Sequence, residues 1–140
     1  MARTMRPWIA LAASLVLAGC NANSRDSVTF SCEAKDDARP GDSRRVVFRF
    51  EDRFLFIRTD TGGTDNVCTQ DRTRLCDVKM TADTLTLRQE VERPYCGWRP
   101  LVSTTLDIDR HSGAFTFTQQ GCEPDEDMRL TGHCEMTLHD

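Results

Sequence analysis

The chain has 140 residues, with 22 acidic against 18 basic side chains and a formal charge of −4. That length supports one domain with one core. The acidic balance argues against a nucleic-acid footprint or a basic membrane-binding patch, and favours a basic partner over an acidic one.

The first element is a leader. Arg3 and Arg6 give a positive start, and Trp8 to Leu17 form an apolar run of about ten residues. A signal-peptide core spans roughly 7–15 residues, whereas a membrane-spanning helix needs about 20. The run ends in Leu17-Ala18-Gly19-Cys20, which resembles the lipobox of bacterial lipoproteins. The resemblance implies cleavage before Cys20, a diacylglyceryl thioether on its sulfur and a palmitate-type acyl chain on its amine. More than one acyl chain is needed for lasting attachment, each buried CH₂ being worth about 0.8 kcal/mol. Asn21, where inner-membrane members carry Asp, implies the outer membrane, facing the periplasm. Residues 1–19 are then a signal peptide, 20–26 a lipidated tether and 27–140 a β domain. Loss of Arg3 and Arg6 with the leader takes the charge from −4 to −6. The six residues from Asn21 to Asp26 span at most about 20 Å, which keeps the domain close to the bilayer.

Beyond the tether the apolar residues recur with a period of two, the signature of half-buried strands. About eight strands are expected, near 27–34, 44–50, 54–59, 74–80, 84–91, 102–109, 114–120 and 128–138. In the third, Phe54 and Phe56 compete with Leu55 and Ile57 for the core, and a one-residue slip exchanges the faces. Short polar turns near 51–53, 81–83 and 110–113 mark three hairpins. The connections near 35–43, 60–73, 92–101 and 121–127 are longer. A sequential antiparallel meander, closed as a small barrel or stacked as a sandwich, is the simplest all-β arrangement. It gathers the short turns and the tether at one end and the long loops at the other, facing away from the membrane.

Seven cysteines are present. With Cys20 lipidated, Cys32, Cys68, Cys76, Cys96, Cys122 and Cys134 remain, an even set suited to three disulfides in an oxidising compartment. No Cys-x-x-Cys occurs and the spacings fit no zinc knuckle or ribbon, so neither a metal nor a cofactor is expected.

The candidate binding residues lie in the long loops. Arg93-Pro94-Tyr95-Cys96-Gly97-Trp98-Arg99-Pro100 concentrates residue types enriched at binding hot spots. The more ordinary reading is that Trp98 caps an open barrel end, with the arginines solvated. Glu123-Pro124-Asp125-Glu126-Asp127 is an acidic loop without the spacing of an EF-hand. Arg99, Asp125, Glu126 and Asp127 join Tyr95 and Trp98 as candidates. His111, His133 and His139 read as surface residues. Asp107 and Asp109 share a strand face but are expected to face solvent, and no nucleophile, metalloprotease or phosphate-loop motif is present.

In its lipobox, size, acidity and first strand Thr29-Phe30-Ser31-Cys32 the chain resembles the membrane-bound inhibitors of C-type lysozyme. The resemblance implies an eight-stranded antiparallel barrel and a tie from the first strand to a cysteine near the C-terminus. The family's Ser/Tyr/Trp-Lys-Gly inhibitory segment has no counterpart, because Arg99-Pro100 follows Trp98, so no inhibitory residue carries over. The residues support the same tie. Cys32 shares a strand face with Val28 and Phe30, Cys134 with Leu130 and Met136, and both faces should look inward. First and last strands become neighbours if the barrel closes. Cys68–Cys76 and Cys96–Cys122 are the remaining pairs. The expected protein is a non-enzymatic envelope lipoprotein showing its loop face to a protein or cell-wall partner. The alternatives are a structural lipoprotein of an envelope complex and an uncharacterised hydrolase.

Overall fold

The computed structural model describes residues 27–60 and 62–139. The expected signal peptide, the expected lipid site Cys20 and the expected tether fall outside the described residues. Nine antiparallel strands form a single sheet in the order β4-β3-β2-β1-β9-β8-β7-β6-β5. They are β1 (Ser27–Asp36), β2 (Arg39–Glu51), β3 (Phe54–Thr59), β4 (Gly62–Asn66), β5 (Thr73–Met80), β6 (Thr84–Glu92), β7 (Leu101–Asp109), β8 (Ala114–Gln119) and β9 (Met128–His139). All eight expected strands form, and β4 is an addition.

The sheet curls into a nearly closed barrel. The period of two explains why: each strand sends alternate side chains to one side. Val28, Phe30, Cys32 and Ala34 of β1, Leu85 and Leu87 of β6, and Leu106 and Ile108 of β7 are all buried. Burying one such large apolar side chain contributes about 1.5–3 kcal/mol. Phe48 of β2 meets Phe115 and Phe117 of β8, with ring centroids 6.1 and 5.8 Å apart. These strands are not neighbours in the sheet, so the contacts cross the interior. In β3 the register is settled for Leu55, which is fully buried, while Phe54 is exposed. Ile57 packs against the core, and Phe56 lies outside beneath the Arg49 guanidinium, 5.0 Å from the ring centroid.

First and last strands pair along ten residues, with Cys32 directly opposite Cys134, and these two are disulfide-bonded. The break in the barrel therefore lies elsewhere, between the β3–β4 hairpin and β5. The bridge Cys68–Cys76 spans it, joining a 3-10 turn at 67–69 to β5. The Gln89 side chain adds a bond across the same gap, donating through Nε2 to Val67 O at 2.5 Å.

Two connections differ from expectation. The segment 35–43 is not a long loop: β1 runs to Asp36, β2 starts at Arg39, and the turn holds Asp37 and Ala38. Asp36 Oδ1 accepts from Ala38 N–H at 3.0 Å and its carboxylate pairs with Arg44 at 3.6 Å. The register shifts after Lys35, where Asp36 opposes Arg39; Pro40, lacking an N–H, suits this irregularity. The segment 60–73 contains β4, paired to β3 through Phe56–Asn66 and Ile57–Asp65. Met136 also departs from its expected inward burial and is exposed. The β8–β9 ladder ends at Ala114 opposite His133, so beyond Cys134 no β8 residue covers the strand.

Candidate functional site

The registers separate the two ends of the barrel. Ser27 lies opposite His139, and Val28 opposite Phe50 near the 52–53 turn. Arg110 N–H donates to Asp83 O, joining the 110–113 and 81–83 turns. The β6–β7 and β8–β9 connections lie at the other end.

At that far end the 93–100 loop folds as two tight turns in succession. Cys96 N–H donates to Arg93 O at 2.9 Å and Arg99 N–H to Cys96 O at 3.1 Å, while Arg93 N–H closes the loop base on Pro100 O. Pro94 and Gly97 occupy the second position of each turn, where proline presets φ in the first. Cys96 points inward, 3% exposed, and the aromatic residues fall at the third positions, with Tyr95 73% and Trp98 83% exposed. Trp98 therefore does not cap the barrel end. A turn that directs Cys96 into the interior leaves its neighbours outside.

The acidic loop is tied to this one. Cys96 is bonded to Cys122, and Arg99 forms an ion pair with Asp127. Asp127 also accepts from Gly121 N–H at 3.1 Å, and Glu126 Oε2 from Cys122 N–H at 3.0 Å. The hydrogen bond from Arg99 and the Gly121 N–H hold the Asp127 carboxyl below its usual range, and Asp127 raises the Arg99 pKa in turn. Two of the expected binding acids, Asp127 and Glu126, thus knit the loop together, and Arg99 is spent on the same task. Asp125 stands exposed with no side-chain partner among the described residues. The structure brings Tyr95, Trp98, Arg99 and Asp127 into one cross-linked unit.

The remaining titratable candidates are engaged elsewhere. Asp107 pairs with Arg88 at 3.3 Å. Asp109 accepts from His111 and Ser112 N–H, at 2.8 and 3.0 Å, and these bonds, Ser112 first, lower its pKa. His111 contacts Asp83 at 2.7 Å on the surface. Among the described residues no group of three or more His, Cys, Asp or Glu is placed to hold a metal.

The barrel mouth holds residues that the sequence reading did not single out. Gln89, Thr104, Gln119 and Met128 lie opposite one another in register across β6, β7, β8 and β9. One level deeper, Leu87, Leu106, Phe117 and Leu130 form an apolar floor by the same pairings. Gln89 and Thr104 are buried, 3% and 7% exposed. The signal was present: both stand in the inward phase of strands whose other inward residues are apolar. A cavity of about 470 Å³ opens here.

No family model, curated protein or solved structure matches this chain.

Proposed function

We propose that this protein is a lipid-anchored component of a bacterial cell envelope, held by Cys20 in the outer membrane, whose loop end binds a protein. One observation carries the binding reading: Tyr95 and Trp98 are exposed on a double turn fastened by Cys96–Cys122 and the Arg99–Asp127 pair. Large exposed aromatic side chains cost little entropy to immobilise when their backbone is already fixed, and such residues dominate interface energetics. The lipobox-like Leu17-Ala18-Gly19-Cys20 supports the anchor. The start of β1 at the opposite end supports an orientation with the aromatic loop away from the bilayer.

A basic protein, of which a C-type lysozyme is one, remains the favoured partner on the mature charge of −6. The loop itself contributes less to that attraction than its composition suggests, since Asp127 is neutralised by Arg99. The test is binding of the domain, begun after Cys20, to C-type lysozyme and to purified envelope proteins. Trp98→Ala should weaken the complex by about 2 kcal/mol, roughly thirtyfold, without altering the fold. Asp125→Asn should chiefly slow association and reduce its salt dependence. A partner whose affinity neither substitution changes would place the binding face elsewhere.

A further inference from the structure

We propose that the barrel mouth is a second, separate site, which binds an uncharged, hydroxyl-bearing small molecule of the saccharide class. The cavity of about 470 Å³ lies within the range of small-ligand pockets, roughly 300–1,000 Å³, and barrel mouths are a recurrent place for them. Its polar wall turns toward the cavity hydrogen-bonding atoms that no described protein group pairs with. Gln89 spends its Nε2 on Val67 O and, at 3.4 Å, on Gln70 Oε1, while its Oε1 accepts no hydrogen bond among the described residues. The Thr104 hydroxyl has no partner there either, and Gln119, next in the same row, keeps its whole amide free. An acceptor and a hydroxyl that line one cavity and are left free by the protein form a recognition surface for a donor and an acceptor.

The walls select the ligand class. Among the described residues, none that lines this cavity is charged, and an ion entering it would lose hydration without compensation. A purely apolar ligand would leave Gln89 and Thr104 unpaired. Phe117, Ile57 and Val67 offer an apolar surface beside the polar row. A sugar ring carries both faces: hydroxyls around its rim and C–H bonds on its plane.

The experiment uses the ¹⁵N-labelled domain with its disulfides intact. Maltose and N,N′-diacetylchitobiose serve as neutral saccharide probes, galacturonic acid as a charged one and dodecanol as an apolar one. At least one neutral disaccharide should shift the side-chain amide signals of Gln89 and Gln119 saturably. Thr104→Val, which keeps shape and burial, should weaken that binding about fivefold, the loss of one hydrogen bond, while Trp98→Ala leaves it unchanged. The proposal is overturned if neither disaccharide shifts those signals, if galacturonic acid or dodecanol binds there more tightly, or if Thr104→Val has no effect. Because Trp98 is not part of this site, failure here is distinguishable from failure of the aromatic loop to bind a protein.

Discussion

At Gly132 the missing side chain sets how closely β1 and β9 approach. A Cβ at this position would stand 2.0 Å from Glu33 O and 3.2 Å from the Ala34 Cα, and the clash is with backbone that cannot swing aside. Gly132→Ala should destabilise the domain by about 1–3 kcal/mol, as overpacking does, measured by urea unfolding with disulfides intact. A loss below a few tenths would show that the two strands are not held so tightly. Asp127 makes a second prediction at this scale. Its folded pKa lies below the unfolded value, so its stabilising pair with Arg99 is present above the ordinary carboxylate range. It is lost as pH falls through the folded value. A carboxyl titration by NMR should show Asp127 protonating below the ordinary carboxylate range, with the Gly121 amide signal moving in step. Sequence reasoning reached residues of this kind unevenly. Tyr95 and Trp98 were legible as a loop pair because composition alone marks them. The engagement of Asp127 and Glu126 within their own loop was not, since it depends on Cys96–Cys122 and the double turn bringing two distant segments together.

Strands are legible where burial imposes alternation. Each of the eight expected strands has most of its inward positions filled by Val, Phe, Leu, Ile, Met or Cys, and each appears in the structure. β4, Gly62–Asn66, has no such pattern. Its ladder to β3 is made by backbone groups, which leave no trace in side-chain periodicity. Arg39 to Ser43 at the start of β2 escaped notice for the same reason. The pairing Cys32–Cys134 could be argued from strand faces and closure. The location of the open edge could not, because it depends on β4 and the 3-10 turn that follows it. The bridge Cys68–Cys76 spans that edge with a sequence separation of only 8. Replacing both cysteines by Ala should cost about 2 kcal/mol, the low end for a disulfide closing a short loop. Its local effect should be larger than its global one. Hydrogen exchange should quicken along β4 and the 67–69 turn, while β1 and β9 keep their protection. Equal acceleration on all strands would contradict the assignment of the edge.

At the scale of the whole molecule, the chain builds a barrel with two unlike ends. One end carries the N-terminal strand and the 52–53, 81–83 and 110–113 turns. The other carries the cross-linked aromatic loop and the polar mouth. The bridge Cys32–Cys134, with a separation of 102 residues, ties the two termini of the described domain into adjacent strands. Closing so long a loop contributes about 4–5 kcal/mol in the chain-entropy model, a large term beside the marginal stability of a small domain. The surface loop that carries the two exposed aromatic side chains is held separately, by Cys96–Cys122 and the Arg99–Asp127 pair. In the function proposed above, this end, and not the barrel wall, meets the partner. The most direct test places a photo-crosslinking amino acid in the protein expressed from its whole sequence in bacterial cells. Position Trp98 is compared with Ser31, which faces outward from the wall of β1. A discrete protein adduct should form from position 98 and none from position 31. The same adduct from position 31, with none from position 98, would contradict that function.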